Sequence, residues 1–453
     1  MTANRGSREG SLEAPTRHPI DWRSPAFHDE HALEKELERV FDICHGCRRC
    51  FALCNAFPVL FDAIDATDSG ELEGVDKRVY WDVVDHCYLC DMCFLTKCPY
   101  VPPHEFNIDF PHLMLRAKSV GNKKGRPRLR DKVLSATGVV GALAGIPVVA
   151  EIVNAANRSS AGRALLEKTL GVDRNAPVPE YHSKSGRARA NAQLRRSAAE
   201  GAPGAAVPTD DTRGRVALFV TCYGNRNETA LPEDLVAVFA HNGIAVTVVG
   251  SERCCGMPKL ELGDLETVAR YKEANIPRLK ALVDAGHDIV APIPSCVLMF
   301  KQELPLLFPG DADVKAVAEA MFDPFEYLML RHKAGLLRTD FVGTLGTVSY
   351  HVPCHLRVQN IGLKTRDVLR LVPGTTVDVI ERCSGHNGTY AVKREFRAAS
   401  MRIAKPVISR VAGAAADHYS SDCPMAGHQI ESGLDGAKAP EHPMRLLRTA
   451  YGL

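Results

Sequence analysis

The sequence has no strong excess of charge of either sign. Its 453 residues include 56 basic and 54 acidic residues, which gives a formal net charge of +2. A nearly neutral chain lacks the global charge that binds nucleic acid or another acidic polymer. Its length is sufficient for roughly two to four domains.

Two kinds of sequence signal are also missing. The N-terminal stretch MTANRGSREGSLEAPTRHP has no apolar core, so no export is expected and a cytoplasmic location is predicted. There is no G-x-G-x-x-G after a predicted strand and no G-x4-G-K-[ST], so the chain has no fingerprint for a flavin or a nucleotide. Oxidation of an organic substrate is therefore expected to need another polypeptide.

Cysteine, by contrast, is abundant, with 15 residues. Disulfide frameworks belong mainly to small secreted domains, and an odd number cannot pair completely. Eight of these cysteines form two clustered motifs, Cys44-x2-Cys47-x2-Cys50-x3-Cys54 and Cys87-x2-Cys90-x2-Cys93-x4-Cys98. This clustering favours metal or redox chemistry in a reducing compartment.

The spacing of the two motifs predicts two [4Fe-4S] clusters. In two-cluster ferredoxins the first three cysteines of a motif bind one cluster and the fourth binds the other. By this rule the first cluster is held by Cys44, Cys47, Cys50 and Cys98. The second is held by Cys87, Cys90, Cys93 and Cys54. The alternative is structural zinc, which normally uses two separated Cys-x2-Cys pairs.

The two motifs depart from the ferredoxin pattern in small ways. Asn55 replaces the proline expected after the first motif, and the second motif has one extra residue before Cys98. A slightly longer loop accommodates that residue. Basic side chains at Arg48, Arg49 and Lys97 either raise the reduction potential of the clusters or serve as solvated charges that dock a partner.

A basic run precedes an uncharged apolar run, Val133 to Ala150. The basic residues are Lys118, Lys123, Lys124, Arg126, Arg128, Arg130 and Lys132. Such a pair is typical of a membrane-surface anchor. Three interpretations of residues 118–153 remain open, namely a transmembrane helix at the lower limit of length, an interfacial helix, and a plain buried helical segment.

Beyond residue 213 the pattern becomes α/β. Six runs end in cysteine and alternate with helical stretches, which predicts parallel strands joined by crossover helices. The runs are RVALFVTC, IAVTVVGSERCC, HDIVAPIPSC, GTVSYHVPC, TVDVIERC and AADHYSSDC, of which the last is polar and the weakest. Because ligand sites lie beyond the carboxyl ends of parallel strands, seven thiols are expected at the edge of a sheet or pair of sheets.

The order of strands and cysteines occurs twice, so the C-terminal part is predicted to contain two related halves. The expected fold class is α+α/β, with an α-helical ferredoxin-like module followed by two parallel-sheet α/β halves. The predicted domains are an N-terminal extension with the helical module (1–117), a basic and apolar segment with a linker (118–213), a first half (214–345) and a second half (346–453).

The cysteine layout of the two halves resembles a known domain. Cys222, then Cys254-Cys255-Gly256, then Pro294-Ser295-Cys296 resembles the CCG cysteine-rich domain of heterodisulfide reductase and related iron-sulfur subunits. The second half repeats it as HVPCHLRVQNIG, CSGHNGTY and SDCPMAGHQIESG. With the ferredoxin-like module and DMCFLTKCPYVPPHEFNIDFPHLMLRAK, residues 40–435 resemble the family of the C subunit of anaerobic glycerol-3-phosphate dehydrogenase.

The resemblance implies an iron-sulfur electron-transfer subunit. Two [4Fe-4S] clusters would relay electrons to or from a redox site in the CCG halves. A partner oxidoreductase subunit, which in such families contains a flavin or another substrate site, would act on the organic substrate. A member attached to the inner face of the membrane would use quinone as its acceptor. The alternative from another class is a self-contained thiol-disulfide reductase of the heterodisulfide type.

The full CCG motif has five cysteines, and neither half has all of them. The first half keeps Cys222, Cys254, Cys255 and Cys296, which are candidates for the redox site and for a third iron-sulfur cluster, and has Met299 at the fifth position. The second half keeps the weaker candidates Cys354, Cys383 and Cys423, with Ser384 and Ala426 at the two missing positions. Nearby histidines are His351, His355, His386 and His428, which are expected more often to form hydrogen bonds than to bind metal.

Overall fold

The computed structural model describes residues 13–96, 98–199, 206–436 and 439–453. The chain divides into two compact units. The first unit comprises Met1–Pro127 and Leu260–Leu265. The second unit comprises Arg128–Lys259 and Glu266–Leu453.

The first unit is helical. Its helices are α1 Glu30–Cys47, α2 Ala56–Asp65, α3 Lys77–His86, α4 Met92–Thr96 and α5 Phe110–Lys123, with 3-10 turns at Ala26–His28 and Leu72–Gly74. Helix α1 begins where the Asp29 carboxylate accepts a hydrogen bond of 2.7 Å from the Ala32 amide, and it ends at Arg48 in the left-handed conformation. Its inner face, Leu33, Leu37, Val40 and Phe41, is buried. The helical module expected from the sequence is thus confirmed.

The second unit contains helices and two parallel sheets. Its helices before the first strand are α6 Leu129–Leu134, α7 Thr137–Ala144, α8 Val149–Arg158, α9 Ser160–Leu170 and α10 Gly186–Ala199. The strands are β1 Arg215–Leu218, β2 Ala245–Val248, β3 Asp288–Val290, β4 Met321–Phe322, β5 Thr347–His351, β6 Thr376–Ile380 and β7 His418–Ser421. The first sheet has the order β2-β1-β3-β4 and the second β6-β5-β7.

Helices connect and cover these strands. After β1 come α11 Cys222–Arg226 and α12 Leu231–His241. After β2 come α13 Met257–Glu261 and α14 Leu265–Asp284. After β3 come α15 Pro294–Leu298, a π-helical turn Met299–Glu303, α16 Leu304–Leu307 and α17 Ala312–Glu319. Then follow α18 Pro324–Lys333, α19 Cys354–Arg357, α20 Lys364–Leu369, α21 Arg394–Gly413, α22 Pro424–Glu431 and α23 Pro443–Tyr451.

The two sheets repeat one topology. In each, the first strand lies between the second and the third, and all pairs are parallel, as in Val216 opposite Val246 and Tyr350 opposite Val379. Each of the six predicted runs contains a strand, including the polar last one, so the mixed fold class and the internal repeat are confirmed. The edge strand β4 is additional, and its two residues are too few to produce a period in the sequence.

Part of the linker predicted within residues 118–213 is a helix in the structure. Helix α10 lies there and packs against α12, with Arg189 and Arg196 paired with Glu233 at 2.8 and 2.7 Å. Its buried positions include Gly186 and Ala190 rather than large apolar residues. A helix with a small and polar inner face has no apolar stripe, which is why its periodicity was not visible in the sequence.

The apolar run after residue 133 forms two helices joined at a sharp bend. Among the described residues no single helix has the length and hydropathy to cross a membrane, although α7 and α8, bent by 105°, satisfy the length and composition criteria together. Large apolar side chains on this pair are solvent-exposed, including Val139 (53%), Leu143 (61%) and Ile152 (63%). This exposure does not fit the interpretation of a plain buried helical segment.

A buried carboxyl group in the second unit makes the stability of the protein depend on pH. Asp323 is 2% exposed and caps α18 by accepting hydrogen bonds from the amides of Phe325 (2.9 Å) and Glu326 (3.3 Å). Burial, then the charges of Asp422 and Glu326, raise the pKa of Asp323 to about 8. Because the folded-state pKa lies above the unfolded one, the folded state holds the proton more tightly and stability falls as pH rises from about 4 towards 8.

Asp323→Asn is therefore expected to stabilise the protein increasingly across this range, since asparagine keeps the cap and cannot ionise. We expect the melting temperature at pH 8.5 to rise by at least about 2 °C, measured by calorimetry of the full chain without oxygen. The control is Asp311→Asn at the cap of α17. Burial raises the pKa of Asp311, but its hydrogen bond with Lys272 outweighs burial and holds that pKa below its usual value. That variant should lose stability above pH 4. Equal behaviour of the two variants would contradict the prediction.

Candidate metal centre

The first cysteine motif lies between two helices of the first unit. Cys44 and Cys47 belong to the last turn of α1, which stops at Arg48. Cys50 and Cys54 follow in a turn before α2, where the Leu53 amide donates to the Cys50 carbonyl oxygen at 2.9 Å. The helix end and the turn thus bring the thiols of one short segment together.

The thiol of Cys44 has neighbours from both motifs. Its pKa is raised well above the usual value by burial, and then by the charges of Cys98, Cys50 and Cys47. Burial also raises the pKa of Cys98, and a hydrogen bond from the Tyr100 amide partly opposes this rise. Cys98 is therefore close enough to Cys44 to interact with it electrostatically, although the two residues belong to different motifs.

The thiol of Cys93 has the complementary set of neighbours. Burial raises its pKa well above the usual value, followed by the charges of Cys87, Cys90, Cys50 and Cys54. The pKa of Cys87 is raised to about 12 by burial, while the charge of Lys118 and the amide of Leu89 oppose the rise. Leu89 and Asp91 both have positive φ, which curls this loop around its thiols.

Cys44 interacts with Cys98 of the other motif, and Cys93 interacts with both Cys54 and Cys50 of the other motif, so thiols of the two motifs lie near each other. Within the described residues, no three His, Cys, Asp or Glu side chains are arranged to hold a single metal ion. A [4Fe-4S] cluster instead spreads its four thiolates around a cube. Buried thiolates that repel one another fit such a group, because its iron ions compensate their charge. The ligand assignment itself remains a proposal.

Two polar contacts near these thiols involve residues outside the cysteine motifs. Arg17 forms ion pairs with Asp91 (2.8 Å) and Asp109 (2.9 Å), and it lies 4.7 Å from the centre of the Phe94 ring. No motif in the polar N-terminal stretch could have indicated this. Asn55, the residue in place of the expected proline, contacts His86, the neighbour of Cys87, at 3.1 Å.

The predicted basic environment is partly neutralised. Arg48 binds the Asp65 carboxylate with two hydrogen bonds of 2.5 and 2.8 Å, so its positive charge is paired. Lys97 lies outside the described residues. A contribution of Arg48, Arg49 and Lys97 to the reduction potential stays a prediction.

In the second unit, three cysteine positions follow the carboxyl ends of β1, β2 and β3. Cys222 begins α11 after Thr221, whose φ is +71° and whose hydroxyl accepts a hydrogen bond of 3.0 Å from the Gly224 amide. Cys254 and Cys255 are followed by Gly256 with φ +109°, a conformation that favours glycine. The glycine of the CCG signature is therefore required by the backbone turn.

The structure brings the four thiols of the first half together in a chain. The Sγ atoms of Cys222 and Cys254 lie 3.8 Å apart, Cys254 also contacts Cys255, and Cys255 contacts Cys296. Hydrogen bonds from Cys222, then Cys255, lower the pKa of Cys254 well below its usual value. The hydrogen bonds with Cys254 likewise raise the pKa values of Cys222 and Cys255. The sulfur of Cys254 thus contacts two neighbouring thiols, and a buried group of thiols favours a compensating cation.

The three cysteines of the second half follow β5, β6 and β7. Cys423 precedes α22. Burial raises the pKa of its thiol to about 11, and hydrogen bonds from the amides of Ala426 and Met425 partly oppose this rise. The charge of Cys296 also acts on Cys423. Cys354 begins α19, and the thiol of Cys383 accepts a hydrogen bond of 3.3 Å from the Gly385 amide. Cys423 is thus a second-half thiol that interacts with the first-half group.

The halves also meet beside Cys296. The hydroxyl of Ser295 lies 2.8 Å from Nδ1 of His355, and the Gln359 side chain donates to the Pro294 carbonyl oxygen at 3.3 Å. Helices α15 and α19 pack together at this point. The residues at the positions of the missing cysteines, Met299, Ser384 and Ala426, are all buried.

The four predicted histidines mostly have protein partners. His351 contacts Ser421 and the Arg382 carbonyl oxygen at 3.0 Å each, and His428 contacts Glu431 at 2.8 Å and Glu228 at 3.3 Å. Burial lowers the pKa of His386 to about 4, and its two ring nitrogens are buried without a hydrogen-bond partner among the described residues. Hydrogen bonding thus describes most of these histidines, whereas ligation by any of them is untested.

One contact of the cysteine group comes from outside the two halves. The hydroxyl oxygen of Thr137, the first residue of α7, lies 3.3 Å from the Sγ of Cys222 and 3.6 Å from that of Cys254. No sequence signal marks this threonine, because it stands 85 residues before Cys222. The apolar segment therefore contributes a polar group to the site.

Comparison with known proteins agrees with this architecture. The family model CCG, described as cysteine-rich domain, matches residues 216–301 and 348–431. The chain is 28% identical over 328 residues to the C subunit of anaerobic glycerol-3-phosphate dehydrogenase from Escherichia coli (strain K12), covering 72% of this chain and 78% of that protein. It is 31% identical over 186 residues to lactate utilization protein A of Bacillus cytotoxicus, covering 40% of this chain and 75% of that protein.

Proposed function

Because the chain belongs to the heterodisulfide-reductase-related family with two CCG domains that includes the C subunit of anaerobic glycerol-3-phosphate dehydrogenase, we propose that it relays electrons between a partner subunit and an acceptor. It is an iron-sulfur protein of the oxidoreductase class. The observation that supports the finer proposal is that thiols of the two cysteine motifs interact in the first unit, as Cys44 does with Cys98 and Cys93 with Cys54, and that four thiols form a chain in the second.

The proposed relay has two stages. The eight cysteines from Cys44 to Cys98 would hold two [4Fe-4S] clusters, each of which accepts and releases one electron when bound. Cys222, Cys254, Cys255 and Cys296 would form a third redox site, with Cys423 next to it. Amide donors such as those of Tyr100 and Gly256 stabilise negative sulfur.

The partner and the acceptor follow from chemistry that this chain does not carry. A flavin-containing subunit would oxidise or reduce the organic substrate, because no flavin fingerprint occurs here. Quinone would accept or supply electrons at a membrane. The name of the relative from Escherichia coli identifies that protein as one subunit of a dehydrogenase, which supports a complex of this kind.

The experiment is purification of the full chain without oxygen, followed by iron and sulfide analysis and electron paramagnetic resonance. We expect about eight iron and eight sulfide per chain from the first unit alone, with further iron if the third site holds a cluster. Proteins that co-purify with the full chain should include a flavoprotein. A colourless protein that contains zinc would contradict the proposal.

The exposed apolar face of α7 and α8 supports peripheral binding to a membrane. Its side chains include Val139, Leu143, Ile146, Val148, Val149 and Ile152. Apolar residues on a bent helix pair fit insertion into the headgroup region of a bilayer, and the exposed Lys132, which precedes the pair in the sequence, favours an anionic one. We propose that this face, called the α7–α8 face below, is the membrane-binding surface.

The double variant Leu143→Glu and Ile152→Glu is therefore expected to bind anionic phospholipid vesicles at least about tenfold more weakly, because two apolar side chains can no longer enter the bilayer. Co-sedimentation of the full chain measures this. Val342→Glu is the control, since Val342 is 77% exposed and lies outside the α7–α8 face. Unchanged binding by the double variant, or an equal loss in the control, would refute this surface.

A second candidate function is direct reduction of a disulfide. The 3.8 Å separation of the Cys222 and Cys254 sulfur atoms favours it, because thiol exchange needs a resolving cysteine close to the attacking thiolate. The two thiols would give up two electrons and two protons and form a disulfide, while the substrate disulfide becomes two thiols. Turnover by the isolated chain with an artificial electron donor, at a rate that no partner increases, would favour this function over the relay.

A further inference from the structure

Helix α7 supplies a hydroxyl group to the cysteines of the first half. Thr137 lies 3.3 Å from Cys222 Sγ and 3.6 Å from Cys254 Sγ, and these two sulfur atoms lie 3.8 Å from each other. The oxygen thus lies within hydrogen-bond distance of both thiols. Thr137 is outside residues 216–301 and 348–431, the ranges that match the cysteine-rich domain.

Tight packing holds α7 in this place. A Cβ atom at Gly141 would lie 3.3 Å from the Arg226 side chain, and one at Gly145 would lie 2.9 Å from its Nη1. Arg226 belongs to α11, the helix that begins at Cys222. Two glycines therefore allow α7 to approach the helix that carries the first thiol, and Thr137 stands at the end of α7 that faces this thiol.

Polar contacts fix the segment before α7 as well. Arg130 donates to the Glu395 carboxylate at 3.0 and 2.5 Å, and Lys393 pairs with Asp131 at 2.8 Å. Lys259 donates to the Ser135 hydroxyl at 3.0 Å, and both groups are buried. Because these contacts hold both α7 and the segment before it, the position of Thr137 is defined by the fold rather than by a mobile surface loop.

We propose that Thr137 is a positioning residue that sets the redox properties of the cysteine site by donating its hydroxyl hydrogen to the sulfur of Cys254. That sulfur is buried, and it lies 3.6 Å from the Thr137 hydroxyl oxygen and 3.8 Å from the Cys222 sulfur. A hydroxyl donor stabilises a negative sulfur, and donors to ligand sulfur raise the reduction potential of an iron-sulfur centre. The electron is transferred without a proton, and the hydrogen stays on Thr137.

A threonine that only fills space would behave differently. Valine has nearly the same shape and no hydroxyl, whereas serine keeps the hydroxyl and loses a methyl group. If the hydroxyl matters, valine changes the site and serine does not. If only volume matters, serine perturbs the site and valine leaves it intact.

The first measurement is a potentiometric titration of the loaded full chain, followed by electron paramagnetic resonance. Thr137→Val is expected to lower the midpoint potential of the second-unit centre, and Thr137→Ser to keep it. The signals of the first-unit clusters provide an internal reference that should not move. This measurement rests on the proposed function, because it needs a cluster on the second-unit thiols.

The second measurement uses the full chain without its clusters. Alkylation of Cys254 by iodoacetamide at one fixed pH, followed by mass spectrometry, reports the reactivity of its sulfur. We expect Thr137→Val to react at least about tenfold more slowly and Thr137→Ser to react as the parent does, because a hydrogen bond to a charged group is lost only in valine. Thr137→Ala provides a second variant without the hydroxyl if the valine variant folds poorly.

The two measurements separate the inference from the proposed function. Slower alkylation in the valine variant, in a protein that never shows a second-unit signal, would support the role of Thr137 and contradict a cluster there. A second-unit signal with unchanged potential and unchanged alkylation would overturn the role of Thr137 and leave the relay in place. Equal effects of valine and serine would also overturn it.

Discussion

Replacing Cys98 with serine is expected to eliminate the cluster that Cys47→Ser also eliminates, and to spare the cluster that depends on Cys90. Cys98 is the last cysteine of the second motif, but its thiol interacts with Cys44 and Cys47 of the first. Serine oxygen is a poor ligand for iron compared with thiolate. We expect a loss of about four iron ions per chain and of one of the two cubane signals.

Cys54→Ser is the matched control, because it makes the same chemical change in the other motif. It should eliminate the cluster that depends on Cys87, Cys90 and Cys93, since Cys54 interacts with Cys93. Comparison of the two spectra therefore identifies the pairing. If Cys98→Ser perturbs the same signal as Cys90→Ser and not that of Cys47→Ser, each motif holds its own cluster and the crossed assignment is wrong.

Replacing Cys254 with serine is expected to abolish the second-unit redox site while both first-unit clusters persist. Cys254 is the sulfur on which the hydrogen bonds of Cys222 and Cys255 converge, so its loss breaks the chain of thiols in the middle. Electron delivery from the reduced first unit to a quinone analogue should fall at least about tenfold, because the relay then lacks its last stage. Stopped-flow absorbance of the full chain, reduced in advance, measures this rate.

Met299→Leu is the control for Cys254→Ser. Met299 is fully buried at the position of the missing fifth cysteine, and leucine is an apolar replacement of similar volume. It should keep both the second-unit signal and the rate of electron delivery. A Cys254→Ser protein that retains the full rate would show that electrons leave directly from the first unit, and the proposed third site would then have no role in the relay.

The first-unit site could be derived largely from local spacing. The intervals within Cys44 to Cys54 and Cys87 to Cys98 state which thiols lie together, since three-residue steps at a helix end or in a tight turn bring side chains close. Arg17 could not be found in this way. Its ion pairs with Asp91 and Asp109 join residues that are 74 and 92 positions away, and no period connects them.

The parallel sheets were predictable for a similar reason. Apolar β-branched runs that alternate with helices specify crossover connections, and a cysteine after each run places its thiol at the carboxyl edge. Helix α10 was not foreseen, because its inner face is made of small and polar side chains such as Ala190 and Gln193. Strand β4 was also missed, since two residues carry no period.

The sequence by itself determined the α/β repeat and the absence of a nucleotide fingerprint, and it predicted which cysteines carry the redox chemistry, because these depend on residue type and on short intervals along the chain. Only the tertiary structure decided which thiols share a neighbourhood across the halves, as Cys296 and Cys423 do, and that Thr137 reaches the site. These contacts arise when buried surfaces select one packing arrangement among many. Packing depends on the shapes of distant segments, so local sequence contains no record of it.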